Sequence, residues 1–592
     1  MKSNKYNILS FRGKNLSIIF ITFSIFAFIG CQSSKSSNDI VDKNISNTLD
    51  NIEPIEVDFK STLAKNNSAA YVTSQCYTKT EDNINKTHNP CFSCHINSKE
   101  PNYINDANLQ ETYAFSEYTK TNKFTNLFKD RTDLVESISD SEILSYVRQN
   151  NYIKDSTITL ANKLKSLPPQ WDVDNDGTWN GYIPDCYFNF DDDGFDVTPD
   201  SNLSGWRAFA YYPFLGTFWP TNGSTDDVLI RLPNVFQQDE SGTFDKNIYI
   251  INLAIVEALI KQKDIYIDEV DENIFGVDLN QDGELTTTNL IKFKWTKPSY
   301  NSQTKKLENF SMSYVGQAKP LLIYNEYLIA PGLYPKGTEF LHSVRYIDVD
   351  ENNSIKMAPR MKELRYAKKT SWNSYPQLSN ASMAEIMEKD AFPERLRTIL
   401  GNTETGLHTG LGWTYQGFIE DEDGELRPQN YEETQYCIGC HSGIGAIADS
   451  TFVFQRKFDY NATLKGWYHW SQDANGLKNI KEPLNKNGVY EYSFYLEQNN
   501  AGDEFRGNNE VLEKFFENDV LKDSELDILH NDISHLLLPS SERAIELNKA
   551  YYIIVKEQSF IYGRDAHVKP VENVHKELEV NKSTQLQAIS LF

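Results

Sequence analysis

The pentapeptide Cys-x-x-Cys-His occurs twice in this chain, at residues 91–95 and again at residues 437–441. This spacing brings two thiols and one imidazole together, as in the attachment site of c-type haem, where the thiols form thioethers to the porphyrin and the histidine binds iron. The residues predicted to hold two haems are Cys91, Cys94, His95, Cys437, Cys440 and His441.

A zinc site is the alternative interpretation of the two Cys-x-x-Cys pairs, because four thiolates can bind one zinc ion. Zinc does not explain why a histidine follows both pairs. It also fits poorly with a compartment in which free thiols oxidise, and the N-terminus predicts such a compartment. We therefore favour haem.

The first 31 residues have the pattern of a secretory signal. Four basic residues precede the apolar stretch 16–29, whose 14 residues are fewer than the roughly 20 that a membrane-spanning helix needs. The stretch ends in Phe-Ile-Gly-Cys, which resembles a bacterial lipoprotein processing site with Cys31 as the lipidated residue. An ordinary signal peptide with an incidental cysteine is the alternative.

These features predict a protein of the cell envelope, held at the membrane by its lipid alone. Gln32, directly after the lipidated cysteine, resembles the default sorting to the outer membrane. The protein would face the periplasm or the cell surface.

Two of the seven cysteines remain after lipid and haem are assigned, namely Cys76 and Cys186. In an oxidising compartment a disulfide between them is the simplest prediction. A buried free thiol and a thiolate iron ligand are the alternatives.

The chain is acidic, with 58 Lys and Arg against 83 Asp and Glu and a net charge of −25. Removal of the four basic residues of the signal would bring the charge to −29. Nucleic acid is therefore not expected as a partner, because its phosphates would be repelled. The expected partner is a redox protein or a terminal electron acceptor.

We expect an α+β fold with the haem motifs on loops between helices and an irregular, β-containing middle region rich in Asp and Gly. The predicted organisation is a signal peptide over 1–30, a flexible tether over 31–66, a haem and calcium-loop region over 67–370, and a more helical haem region over 371–592. Residues 228–232 and 321–324 are β-like runs, and residues 252–262 favour a helix. This pattern agrees with one large folded unit. It agrees equally with two lobes that each carry one haem.

Two acidic loops match the first seven positions of a calcium-binding loop, at residues 172–178 and 278–284. Oxygens at positions 1, 3 and 5 converge on the ion, glycine at position 6 allows the sharp turn, and position 7 offers its carbonyl. Neither loop has the glutamate of an EF-hand at position 12. The predicted calcium ligands are Asp172, Asp174, Asp176, Thr178, Asp278, Asn280, Asp282 and Glu284. The similar run 348–354 lacks the glycine and favours an ordinary turn.

No sequence pattern identifies the second ligand of either iron. His408 and His469 flank the second motif and are the first candidates for that haem. The remaining histidines and the non-initiator methionines compete with them: His88, His342, His530, His535, His567, His575, Met312, Met357, Met361, Met383 and Met387.

The chain resembles a group of large di-haem c-type cytochrome lipoproteins of Gram-negative bacteria. The resemblance rests on residues 181–188, the aromatic stretch from Gly205, residues 357–363 and the surroundings of the second motif through residue 452. It implies haem and an envelope location but no reaction.

The leading functional hypothesis is transfer of single electrons between envelope partners through two covalent haems. The alternative is an enzyme similar to di-haem peroxidases or oxygenases, in which one haem keeps an open face. A calcium-stabilised binding protein with structural haems is a third hypothesis.

Overall fold

The computed structural model describes residue 49 and residues 52–62, 72–82, 84–96, 100–101, 111–217, 219–395, 399–472, 476–499 and 507–586. These residues all belong to one compact unit, Ile45–Phe592.

The described helices vary from one turn to 17 residues. They are α1 Thr132–Glu136, α2 Asp140–Val147, α3 Thr159–Lys165, α4 Lys246–Lys261, α5 Glu272–Phe275, α6 Ala318–Ile323, α7 Tyr375–Ala391, α8 Tyr431–Cys440, α9 Glu491–Asn499, α10 Asn509–Phe515, α11 Asp523–Leu529, α12 Ser534–Leu537 and α13 Ser541–Glu557. The strands are β1 Thr80–Glu81, β2 Thr87–His88, β3 Ile153–Lys154, β4 Thr157–Ile158, β5 Phe195–Val197, β6 Leu203–Phe209, β7 Thr225–Arg231, β8 Ile265–Asp271, β9 Thr287–Ile291, β10 Ser299–Asn301, β11 Lys306–Glu308, β12 Glu339–Val349, β13 Ile355–Lys369, β14 Leu400–Asn402, β15 Gly406–His408, β16 Trp413–Glu420, β17 Leu426–Pro428, β18 Phe516–Glu517 and β19 Val520–Leu521.

A nine-stranded antiparallel sheet organises the unit, with the strand order β14-β15-β16-β13-β12-β7-β6-β5 and with β17 paired to β16. Its longest pair is β12 and β13, which is joined by a hairpin turn and interrupted by irregular register near Arg345. Strands from before and after residue 370 therefore share one sheet.

Helix α4 packs on one face of this sheet and forms the largest core cluster with it. Asp245 caps the helix, because its carboxylate accepts hydrogen bonds from two first-turn amides. Val228, Phe340 and Ala367 extend from the sheet into this cluster, as does Tyr415. Residues at alternating positions, such as Leu229 and Leu341, pack on the opposite face in a second cluster. The sheet is thus buried on both faces.

The structure confirms the mixed helical and sheet composition and the strand at residues 228–232. Residues 321–323 instead continue helix α6 and Tyr324 is its C-cap; Pro320 lies in the first turn, where proline needs no hydrogen-bonded amide. A short apolar run does not by itself distinguish a buried helix from a strand. The second haem motif was expected on a loop, and this is also wrong: residues 437–440 form the last turn of α8.

The predicted signal peptide and Cys31 lie outside the described residues. Within the stretch predicted as a tether, residues 52–62 contact the folded unit. Ser61 donates a 2.9 Å hydrogen bond to Glu432, and Phe59 packs against Trp171. None of the helices among the described residues has the length and apolar character needed to cross a membrane.

Candidate functional site

The first motif is wound as a short helical turn over Pro90–Ser93. The amides of Cys94 and His95 donate to the carbonyl of Cys91 at 3.2 and 2.8 Å. This turn gathers the two thiols and the imidazole, and all three residues line one cavity of 290 Å³. Burial raises the pKa of Cys91 to about 12, and Cys76 adds to the effect, so this thiol is protonated at neutral pH.

The second motif ends helix α8. Asn430 is the N-cap of this helix: its side chain accepts from the amide of Glu433, and the Glu433 side chain accepts from the amide of Asn430. At its other end the His441 amide donates to the carbonyl of Cys437 at 3.1 Å. A rigid, capped helix therefore presents Cys437, Cys440 and His441 from its last turn.

The imidazole of His441 has one nitrogen fixed by hydrogen bonds. Nδ1 lies 2.6 Å from the carbonyl oxygen of Ser450 and 2.9 Å from the hydroxyl of Tyr415, which itself donates to Ser450 at 3.0 Å. A proton on Nδ1 satisfies both acceptors and leaves the lone pair on Nε2, the form in which histidine binds metal. Burial lowers the pKa of His441 to about 4, so the ring is neutral at physiological pH.

The two motifs meet, although 346 positions separate them in the chain. Cys94 and Cys440 pack against the same apolar cluster, formed by Phe214, Ile447 and Phe452. A Cβ atom placed on Gly445 would lie 2.8 Å from the carbonyl oxygen of Ile96. The segments that directly follow each motif are thus in close contact, and glycine is needed there.

A second cavity of 90 Å³ lies between the last turn of α8 and the sheet. It is lined by Cys437, Cys440 and His441 together with His342 and Arg365. The donor set of each cavity suits a c-type haem, because each combines the two thiols and the histidine of one motif with mostly apolar walls.

Two arginines lie near the second motif and share one carboxylate. Glu363 accepts from Arg365 at 2.9 Å and from Arg564 at 2.6 Å, and all three side chains are largely buried. The group carries one more positive than negative charge. Such a buried cationic group can bind the propionates of a porphyrin.

The disulfide predicted between Cys76 and Cys186 does not form in the structure, where both are free thiols. Cys76 lines the cavity of the first motif. Cys186 is fully buried on the far face of the sheet, in the cluster that contains Tyr152 and Trp206. The two thiols belong to separate packing clusters, which chain order could not reveal.

The two histidines that chain position favoured as second iron ligands lie outside the second cavity. His469 uses both ring nitrogens, at 2.7 Å from Asp227 and 2.7 Å from Ser471. His408 is exposed on β15, and its Nδ1 lies 2.7 Å from the hydroxyl of Thr414. The strand register instead places His342 in this cavity.

The loop at residues 172–178 wraps as a cation-binding loop does. Asp172, Asp174 and Asp176 each place one carboxylate oxygen within 4.8 Å of the others. The Gly177 amide donates to Asp172 at 3.0 Å, and Gly177 has a φ of +77°, which favours glycine.

The loop at residues 278–284 repeats this arrangement. The amides of Asp282 and Gly283 donate to Asp278 at 3.2 and 2.9 Å, and Gly283 has a φ of +100°. The turns predicted for both loops are confirmed.

A buried glutamate from outside each loop bridges the second and ninth positions of that loop. Glu404 accepts from the amides of Val173 and Asn180 at 3.3 and 2.6 Å. Glu272 accepts from the equivalent amides, those of Leu279 and Thr286, at 2.6 and 3.0 Å. Burial raises the pKa of Glu404, and the nearby Asp174 and Asp176 raise it further. Sequence reasoning missed both glutamates because neither occupies position 12.

The third acidic run forms the hairpin turn between β12 and β13. Asp350 accepts from the amides of Asn352 and Ser354 and pairs with Lys356 at 2.8 Å. The expected turn is present.

Comparison with known proteins identifies similarity to lipoproteins. A family model whose description reads "-like lipoprotein" matches residues 60–535. An uncharacterized lipoprotein of Aquifex aeolicus (strain VF5) is 31% identical over 534 residues, which cover 81% of this chain and 82% of the relative. No solved structure matches the chain.

Proposed function

The chain belongs to this lipoprotein family, and from that premise we propose that it is a lipid-anchored di-haem c-type cytochrome of the cell envelope. It transfers single electrons between a redox partner protein and a second partner or terminal acceptor. The outer membrane, facing the periplasm or the cell surface, is its proposed location.

The convergence of the two motifs carries this proposal. Cys94 and Cys440 pack against one apolar cluster. The segment that follows the first motif contacts the segment that follows the second. The rate of electron transfer falls steeply with distance, so two redox groups attached at neighbouring sites exchange electrons efficiently. A protein with two unrelated structural haems would not need to bring them together.

The residues proposed to hold the haems are those of the motifs. Cys91, Cys94, Cys437 and Cys440 would form the thioethers, and His95 and His441 would bind the irons. Haem at these sites supplies one-electron chemistry, and the protein sets its potential. Ser450 holds the His441 ring in the tautomer that leaves Nε2 for the iron, and Tyr415 increases the electron density on that ring.

Calcium is the second cofactor that we propose. The loops at residues 172–178 and 278–284 would each bind one ion through the oxygens named above. Glu404 and Glu272 accept two backbone amides of each loop and so hold the loop in the shape that brings its own oxygens together. The ions would stabilise the loops that border the sheet and take no part in electron transfer.

The acidic charge of the chain favours a basic redox partner and disfavours nucleic acid. Association with such a partner should weaken as salt is added.

A decisive test is the haem content of the full chain, produced in a bacterial host that matures c-type cytochromes. The denatured protein should have the mass of two covalent haems. Cys437→Ala with Cys440→Ala should remove one haem, and Cys91→Ala with Cys94→Ala should remove the other. Cys76→Ala is the matched control, because Cys76 lines the first cavity but lies outside both motifs. One haem or none in the wild type would refute the proposal.

The alternative, a di-haem peroxidase or oxygenase with one open haem, has one observation in its favour. His342 and Arg365 are cross-strand neighbours in the second cavity, where an imidazole and a guanidinium could assist proton transfer to a bound oxidant. Peroxide-dependent oxidation of an electron donor by the wild type would favour the enzyme. Negligible turnover would favour the electron carrier.

A further inference from the structure

We propose that His342 is the second protein ligand of the iron that His441 binds. This inference rests on the proposed function, because it requires haem at the second motif. It assigns a metal-binding role to a histidine that lies 95 positions from Cys437 and carries no motif of its own.

The strand register places His342 where such a ligand is needed. His342 lies on β12, opposite Val228 of β7 and Arg365 of β13. Residues that face each other across antiparallel strands lie on the same side of the sheet. Phe340 and Ala367 form the cross-strand pair two positions away from the pair His342 and Arg365, so they lie on the same face. This face borders the second cavity.

The cavity therefore has a histidine from each of two elements. The last turn of α8 contributes His441 with the two thiols of the motif, and the middle of the sheet contributes His342. Both elements are fixed by long-range contacts, so the two imidazoles are positioned independently of each other. A planar group attached to Cys437 and Cys440 would lie in the cavity that these two histidines share.

A buried carboxylate orients the His342 ring. His342 Nε2 lies 3.0 Å from Asp226 Oδ2, and the hydroxyl of Tyr211 donates to Asp226 Oδ1 at 2.6 Å. Asp226 is only 5% exposed, and both of its oxygens are engaged. With the proton on Nε2, the unprotonated nitrogen of the neutral ring is Nδ1.

This arrangement is the one that orients metal-binding histidines in general, in which one ring nitrogen donates to a carboxylate or carbonyl and the other binds the metal. In the His441 ring the two nitrogens exchange these roles: Nδ1 donates to the carbonyl of Ser450, and Nε2 is left for the metal. Two imidazoles in one cavity are thus each held in a single tautomer by a buried oxygen.

The test compares His342→Ala with the wild type in the full chain carrying two covalent haems. The wild-type ferric protein should have two low-spin haems by absorption and electron paramagnetic resonance. In the variant the low-spin signal of one haem should be lost, a high-spin signal should replace it, and carbon monoxide should bind the reduced form rapidly at that haem. Added imidazole should restore the low-spin signal. His408→Ala is the matched control and should leave both spectra unchanged, because His408 lies outside the cavity.

Two results would overturn the assignment. Two low-spin haems in His342→Ala would show that another group binds the iron. A wild-type protein with one high-spin haem that already binds carbon monoxide would show that His342 faces an open site and acts there as an acid or base.

If His342→Ala does not retain both haems, His342→Met answers the same question, because a thioether can replace imidazole as an iron ligand. The absorption of sulfur-ligated haem should then appear, and an unchanged spectrum would refute the assignment. Failure of the proposed function itself is distinguished by the wild type, which would then lack covalent haem altogether.

Discussion

Glu363→Gln should destabilise the protein through the arginine group beside the second motif. Glu363 is 2% exposed and accepts hydrogen bonds from Arg365, Arg564 and Gln429. Burial by itself raises the pKa of this carboxyl, but the two arginines outweigh burial and lower it from 4.5 to about 2. The ionised carboxylate is therefore the form that the folded state binds more strongly.

The size of the effect follows from this change in pKa. At about 1.4 kcal/mol for each tenfold change in a protonation equilibrium, lowering the pKa from 4.5 to about 2 corresponds to about 3 kcal/mol of folding free energy. A glutamine at this position cannot ionise, so the folding free energy from the carboxylate is lost. It also leaves the two buried guanidinium groups without the charge of Glu363, a change that typically costs about 3–5 kcal/mol.

The sign of the pH dependence is fixed by the direction of the shift. Because the folded-state pKa is depressed, the contribution of Glu363 is fully present above 4.5 and is lost as pH falls toward about 2. Thermal melting of the wild type and Glu363→Gln should therefore differ most at neutral pH, and the difference should shrink on acidification.

Glu422→Gln is the control, since Glu422 is exposed. Equal melting temperatures at neutral pH, or a gap that stays constant down to about pH 3, would refute the reasoning.

Three further predictions concern the calcium loops, the His441 ring and the contact between the motifs. A chelator should lower the melting temperature of the wild type, because bound calcium stabilises the folded state. In Glu404→Gln the chelator should lower the melting temperature by less. An unchanged wild-type melting curve, with no calcium by elemental analysis, would contradict the site. Tyr415→Phe removes the 2.9 Å hydrogen bond between His441 Nδ1 and the Tyr415 hydroxyl, and with it the electron density that this bond adds to the ring. One of the two haem reduction potentials should therefore rise in a spectroelectrochemical titration. Unchanged potentials would show that the hydroxyl does not affect the iron. Gly445→Val should lower the melting temperature because its side chain would collide with Ile96, and Ala446→Val, one position along, is the comparison that should be tolerated better.

Local patterns in the sequence determined the chemistry of the short motifs. Cysteine and histidine within five residues occupy one helical turn, so His441 and its two cysteines lie together whatever the rest of the chain does. The same holds for the turn of residues 172–178, where glycine and alternating oxygens suffice to define the backbone. The α+β composition was also predictable, because periodicity reflects which faces are buried.

Only the tertiary structure decided how these pieces relate to one another. It placed Gly445 against Ile96 and brought Glu404 to the amides of residues 173 and 180. It also put Cys76 and Cys186 in separate clusters as free thiols. All of these residues are far apart in the chain. Such pairs depend on strand order and register, which one sequence does not encode in any short pattern. His342 is the clearest case: its neighbours in sequence form an ordinary strand, and it reaches the second cavity only because β12 lies between β7 and β13 in the assembled sheet.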